Sequence, residues 1–175
     1  AVSYPDKVER LLPVIGTAYI DSFSAVRLER WAQPIKQDPD WNKGAYPLTE
    51  QPAGLTRALA YVIQDALNPE LFNQSYPAPA LDNAIHQDIQ AELPAWTQLM
   101  SAAKQRSAQM DANSLLYLVR ASQLWRAGMG DNWQQQLKSV KAKTLWLPAT
   151  GDLLLTPAMA KQSKDQMPGT GYEEI

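Results

Sequence analysis

Cysteine is absent from this 175-residue chain, and histidine occurs once, as His86. Without cysteine there can be no disulfide, no thiolate metal site and no cysteine nucleophile. Lys and Arg number 16 against 18 Asp and Glu, a net charge of −2. No basic field therefore exists to attract nucleic acid or an anionic membrane. No apolar run reaches the roughly 18 residues that a transmembrane helix needs. A G-x-S-x-G elbow is missing too. The opening residues, AVSYPDKVERLLPVIG, have no basic region followed by an apolar core, so no signal peptide is read and a cytoplasmic location is favoured. They read as the middle of a longer chain. Phenylalanine is scarce, with 2 residues against 6 tryptophans and 13 prolines. Many short helices and bulky aromatic plugs follow from that balance. The remainder is ordinary for a globular protein: 45% of residues are hydrophobic, and the length suffices for one domain with a sizeable core.

Strand-like material lies near the two ends. Residues 11–15, LLPVI, form a short apolar run closed by Gly16, although Pro13 cannot donate to a ladder. Residues 144–149 read as a buried strand, and 172–175 as a third candidate. Residues 1–5 read as the end of a helix and 6–10 as a charged turn. Between the strands the chain is almost wholly helical. Helices are expected over 22–37, with Pro34 kinking or ending it, and on the face formed by Leu55, Leu59, Val62, Ile63, Ala66 and Leu67. Others are expected from Asn68 onward, over 82–109 with a break near Pro94, and over 111–127, capped by Asp111 and ended at Gly128. Residues 38–52 form a turn-rich loop and 76–80 a proline-rich connector. So long a helical stretch between strands is too large for an ordinary crossover and has the layout of a lid insertion.

The segment KTLWLPATGDLLLTP, residues 143–157, carries the chemistry. A strand ends in a Thr150-Gly151 turn that presents Asp152, and a helix begins with Thr156 as cap and Pro157 in the first position. A carboxylate just past the carboxyl end of a buried strand is where open α/β sheets keep working residues. Asp152 suits the acid of a Ser-Asp-His triad, whose task is to orient and stabilise the histidine. In α/β hydrolases the order is Ser, acid, His, and His86 precedes Asp152. His86, beside Gln87, Asp88 and Gln90, reads as a solvated side chain of a polar helix. Tyr117 and Trp125 read as core residues, and Asp111 as a cap.

VSYPDKVERLLPVIGTA, DPDWNKGAY, PAGLTRAL, MDANSLLYLVRA and GDLLLTP occur in an order and spacing that resemble the homoserine O-acetyltransferase family of the α/β-hydrolase superfamily. The similarity covers nearly the whole chain. It implies the C-terminal part of an α/β-hydrolase fold with a large helical lid: residues 1–37 as part of the core, 38–140 as the lid, and 141–175 as core carrying the triad acid. Asp152 matches the family's triad aspartate. The elbow serine would lie before residue 1 and the histidine after residue 175. The implied partner is therefore the N-terminal part of the same enzyme, and this chain alone would be inactive. An acyltransferase follows, with no cofactor but with acyl-CoA as a possible donor, a small-molecule acceptor, and a homodimer through lid helices. Tyr46 and Arg57 are the candidate substrate contacts. The family pattern resembles G-L-x-x-A-R, with a tyrosine seven residues after the arginine. Here Gly54, Leu55 and Ala58 fit, but Leu59 and Ala66 stand at the arginine and tyrosine positions. A leucine cannot grip an amino acid's carboxylate, which turns the expectation away from homoserine. Two alternatives stand beside the acyltransferase: an esterase of the same fold, and a non-catalytic helical interaction module.

Overall fold

A computed structural model describes residues 1–77 and 83–175. Its elements in chain order begin with strand β1 (Arg10–Leu11), then helices α1 (Ser22–Lys36), α2 (Ala53–Asp65), α3 (Pro69–Ser75), α4 (Asn83–Gln87), α5 (Pro94–Ser107) and α6 (Ala112–Gln123). Helix α7 (Trp133–Leu137), β2 (Lys143–Trp146), α8 (Pro157–Asp165) and β3 (Gly171–Tyr172) complete it. The chain divides into two compact units, one of Ala1–Leu28 with Arg120–Ile175, the other of Glu29–Val119.

The first unit holds a parallel sheet in the order β1-β2-β3. Its ladder runs beyond the strands proper. Lys143 N–H donates to Glu9 O at 2.9 Å, Leu147 N–H to Pro13 O at 2.9 Å, and Ile15 N–H to Leu147 O at 2.8 Å. Pro13 accepts but cannot donate, so β1 is only two residues long where the apolar run suggested five. The same extension occurs at β3, where Glu173 N–H donates to Trp146 O at 3.0 Å and Ile175 N–H to Pro148 O at 3.0 Å. β2 alternates exposed and buried residues along its length. It is thus covered on one face among the described residues, not on both as a fully buried strand would be. That covered face belongs to a core of Ala18, Ala127, Trp133, Leu137, Trp146, Ala160 and Met167. The Tyr19 ring stacks on Trp133 with centroids 4.5 Å apart. Helix α8 joins β2 to β3 and is sewn to the rest by Ser163, whose hydroxyl accepts from Ala18 N–H at 3.0 Å.

Two expected helices are corrected here. Residues 1–4 are not helical, and Pro5–Lys7 is a single 3-10 turn. α6 ends at Gln123, short of Gly128. The backbone beyond it is claimed by a long-range pairing, in which Ala127 N–H donates to Ala18 O at 2.7 Å and Ile20 N–H to Trp125 O at 3.2 Å. Trp125 is therefore off the helix and 45% exposed, and Tyr117 is 78% exposed. Neither is the core residue expected.

The second unit is helical. α2 packs on α5, with Tyr61 and Trp96 tilted at 6.4 Å. Leu55, Ala58, Leu59, Leu99 and Ala103 are buried on these helices, each aliphatic leucine contributing about 1.5–3 kcal/mol by leaving water. Gly54 is required where the start of α2 meets the end of α1: a Cβ there would lie 2.2 Å from the Pro34 carbonyl oxygen. Pro34 stands inside α1, which ends two residues later. Asp65, at the end of α2, has a side chain only 2% exposed. It accepts from Arg30 Nη2 at 2.7 and 2.8 Å and from Trp31 Nε1 at 2.7 Å. The break near Pro94 is real, since α5 starts on that proline. The expected connector 76–80 and helix start at 82 lie mostly outside the described residues.

Candidate active site

Asp152 follows β2 by way of buried Pro148. The turn is closed by Asp152 N–H donating to Ala149 O at 3.2 Å and is tied to the third strand's extension by Thr150 N–H donating to Ile175 O at 2.9 Å. The carboxylate is partly buried. Its Oδ1 accepts two backbone N–H groups, from Leu154 at 2.7 Å and Leu155 at 2.8 Å. Among the described residues no hydrogen bond reaches Oδ2. One oxygen therefore anchors the side chain and the other remains to accept an N–H from a further group, as a triad acid must from imidazole. Downstream, the Thr156 hydroxyl accepts Met159 N–H at 3.3 Å and Pro157 opens α8, as read from the sequence.

Tyr46 lies in the other unit, and its hydroxyl is already engaged. It donates to Asp111 Oδ1 and accepts Asn113 N–H at 3.1 Å. Asp111 also caps α6, its Oδ2 accepting Ser114 N–H at 2.7 Å. The hydrogen bond from Tyr46 leads in holding the Asp111 carboxyl below its ordinary range. Burial, followed by that same bond, pushes the Tyr46 phenol up. Asn113 completes the clamp. Its Oδ1 accepts from Trp41 Nε1 at 2.9 Å, and its Nδ2 donates to Gly44 O at 3.1 Å. Gly44 sits at φ +93°, where an added Cβ would also meet the Asn113 amide. The segments DPDWNKGAY and DANSLLYLVRA thus recognise each other. Sequence reading singled out both and missed their pairing; Asn113, the centre of the clamp, carried no signal of its own.

Arg57 is exposed on α2, whereas Leu59 is buried at 2% exposure and Ala66 is exposed just past the helix end. His86 is exposed on α4. Among the described residues no three His, Cys, Asp or Glu side chains cluster as a metal site, and no helix is long and apolar enough to cross a membrane.

A three-strand parallel sheet, a carboxylate presented after its middle strand, and a helical stretch inserted between the strands define part of an α/β-hydrolase fold. Solved structures agree. The chain superposes on esterase E22 with a TM-score of 0.92 and 38% identity, over 99% of this chain and 50% of that one. Homoserine O-acetyltransferase from Bacillus anthracis gives a TM-score of 0.90 at 24% identity, over 99% of this chain and 48% of that one. Among curated proteins, the homoserine O-acetyltransferase of Methanosalsum zhilinae is 26% identical over 165 residues, 92% of this chain and 33% of that protein. The resemblance to the homoserine O-acetyltransferase family therefore holds along nearly the whole chain. The chain spans about a third of the length of such curated relatives. No family model matches it.

Proposed function

We propose that the intact protein is a serine-type acyl-transfer enzyme of the α/β-hydrolase fold in which Asp152 is the triad acid. The observation that carries this reading is the divided use of the Asp152 carboxylate: Oδ1 bound by two N–H groups of its own loop, Oδ2 left to a partner. The nucleophilic serine and the histidine belong to the part of the relatives' length that this chain does not span. In this scheme the serine attacks an acyl ester or an acyl-CoA. The histidine takes the serine's proton and later returns one to the leaving group. Asp152 holds the imidazole in the productive tautomer. In this reading the lid, expected over residues 38–140, takes in most of the helical unit Glu29–Val119, with Arg57 as a candidate substrate contact and Tyr46 as an anchor of the loop through Asp111 and Asn113. The test is Asp152→Asn in the full-length enzyme. The amide keeps an oxygen for Leu154 and Leu155 but offers imidazole a donor in place of an acceptor. Turnover should fall about 10⁴-fold with the fold intact, and near-normal turnover would remove Asp152 from the mechanism.

A second reading concerns the acceptor. Leu59 and Ala66 stand where the family pattern has arginine and tyrosine, and among superposed structures the identity to esterase E22, 38%, exceeds the 24% to the homoserine O-acetyltransferase of Bacillus anthracis. Both favour transfer to water, or to an alcohol without a carboxylate, over transfer to homoserine. The acyl-enzyme chemistry is common to all of these outcomes, and acceptor binding decides among them. Partition of the acyl group between water and added alcohols, followed by product analysis, distinguishes esterase from transferase.

A further inference from the structure

Asp152 is held from behind as well as by its own loop. The two peptide groups that donate to its Oδ1 present their carbonyl ends the other way, and both carbonyls are taken by α1. Arg27 Nη1 donates to Leu153 O at 2.7 Å, and Ser24 Oγ donates to Leu154 O at 2.7 Å. The Leu153–Leu154 peptide thus links Arg27 to Asp152 Oδ1, and the Leu154–Leu155 peptide links Ser24 to the same oxygen. Ser24 is 0% exposed. Its N–H donates to Asp21 Oδ1 at 2.7 Å, which fixes the first turn of α1 and with it the hydroxyl. All of these residues lie in one compact unit.

We propose that Ser24 and Arg27 are positioning residues for Asp152, acting through two peptide groups to aim the carboxylate's second oxygen. The proposal rests on the reading of Asp152 as the triad acid. A carboxylate's terminal torsion is broad and roughly two-fold, so a side chain held only at Cβ would not keep Oδ2 in one direction. Two N–H donors converging on Oδ1 remove that freedom. A peptide whose carbonyl already accepts a hydrogen bond is polarised, and its N–H is a stronger donor. Arg27 adds a charge-assisted bond at the far end of one such relay. Neither Ser24 nor Arg27 touches a reacting atom in this scheme.

The experiment uses the full-length enzyme, with p-nitrophenyl acetate as substrate and kcat expressed per burst-titrated site so that misfolded protein does not count. Ser24→Ala and Arg27→Met are each expected to lower kcat about tenfold with KM nearly unchanged, the loss that follows when a catalytic group is held less firmly. Arg27→Lys, which keeps a charged donor, should recover most of that loss. In an Asp152→Asn background the same substitutions should change kcat by less than about twofold, because there is no carboxylate left to aim. If Ser24→Ala does not fold, the partly buried Arg27 series decides alone. Full kcat in Arg27→Met beside a crippled Asp152→Asn would overturn the positioning role and leave the triad reading standing. Equal losses with and without the Asp152 carboxylate would also overturn it. An active Asp152→Asn would instead sink the triad reading itself.

Discussion

Tyr46→Phe separates an anchor from a substrate contact. The substitution keeps the ring and deletes one hydroxyl that donates to Asp111 and accepts Asn113 N–H at 3.1 Å. A hydrogen bond to a charged group is worth about 1.5–3 kcal/mol when sheltered. Asp111 is only partly buried and keeps Ser114 N–H at 2.7 Å, so water replaces part of the loss and about 1 kcal/mol is left. Asn113 N–H, in the first turn of α6, loses its acceptor for about 1 kcal/mol more. The total is about 2 kcal/mol in urea unfolding. The pH dependence has a definite sign. Asp111 is depressed below its ordinary 3.8, chiefly by Tyr46. Its contribution is present above that value and is lost as pH falls through the lower folded one. Tyr46 is raised above 10.0, by burial first and then by Asp111, so its contribution is present below that value and is lost as pH rises through the higher folded one. The difference between wild type and Tyr46→Phe should therefore be widest at neutral pH and narrow at both extremes, while KM stays put. A variant of unchanged stability with a raised KM would refute the anchor and make Tyr46 a substrate contact.

Gly54→Ala should destabilise despite gaining about 1 kcal/mol of helix propensity. The new Cβ would lie 2.2 Å from a backbone oxygen at Pro34, and overpacking of that kind costs about 1–3 kcal/mol; a rise in melting temperature would contradict the close approach. Homoserine should bind the full-length enzyme about ten- to a hundredfold more weakly than an arginine-bearing site allows, the worth of one missing charged partner. Saturation at submillimolar homoserine in steady-state kinetics would show that another residue, Arg57 first, has taken over the carboxylate. Among the described residues β1 pairs on one side only, and Leu12 and Val14 beside it are 55% and 52% exposed. The 175-residue chain in isolation should therefore self-associate, and light scattering from a stable, cooperatively unfolding monomer would argue otherwise.

Local chemistry was legible in the chain. Thr156 and Pro157 start α8, Asn68 and Pro69 start α3, and Asp111 caps α6, because a cap and a fixed proline φ act within three or four residues. The strand, the turn and Asp152 were legible for the same reason, and so were the family's segments and their order. What the chain did not reveal is what its residues bond to at a distance. Asp65 ends a helix whose apolar face was plain, yet its burial against Arg30 and Trp31 left no periodic trace. α6 stops early because residues 125–127 pair with 18–20, a backbone choice that outweighs helix propensity. Tyr46 stood in a turn-rich loop as a candidate substrate contact, and only the fold shows Asp111 and Asn113 bonded to its hydroxyl. Ser24 lies in the helix expected over 22–37 with nothing in the sequence to single it out, and only the fold brings it to Leu154, 130 residues away. Hydrogen bonds across such separations are set by where the packed core places the elements, and residues that meet only there need share no spacing along the chain.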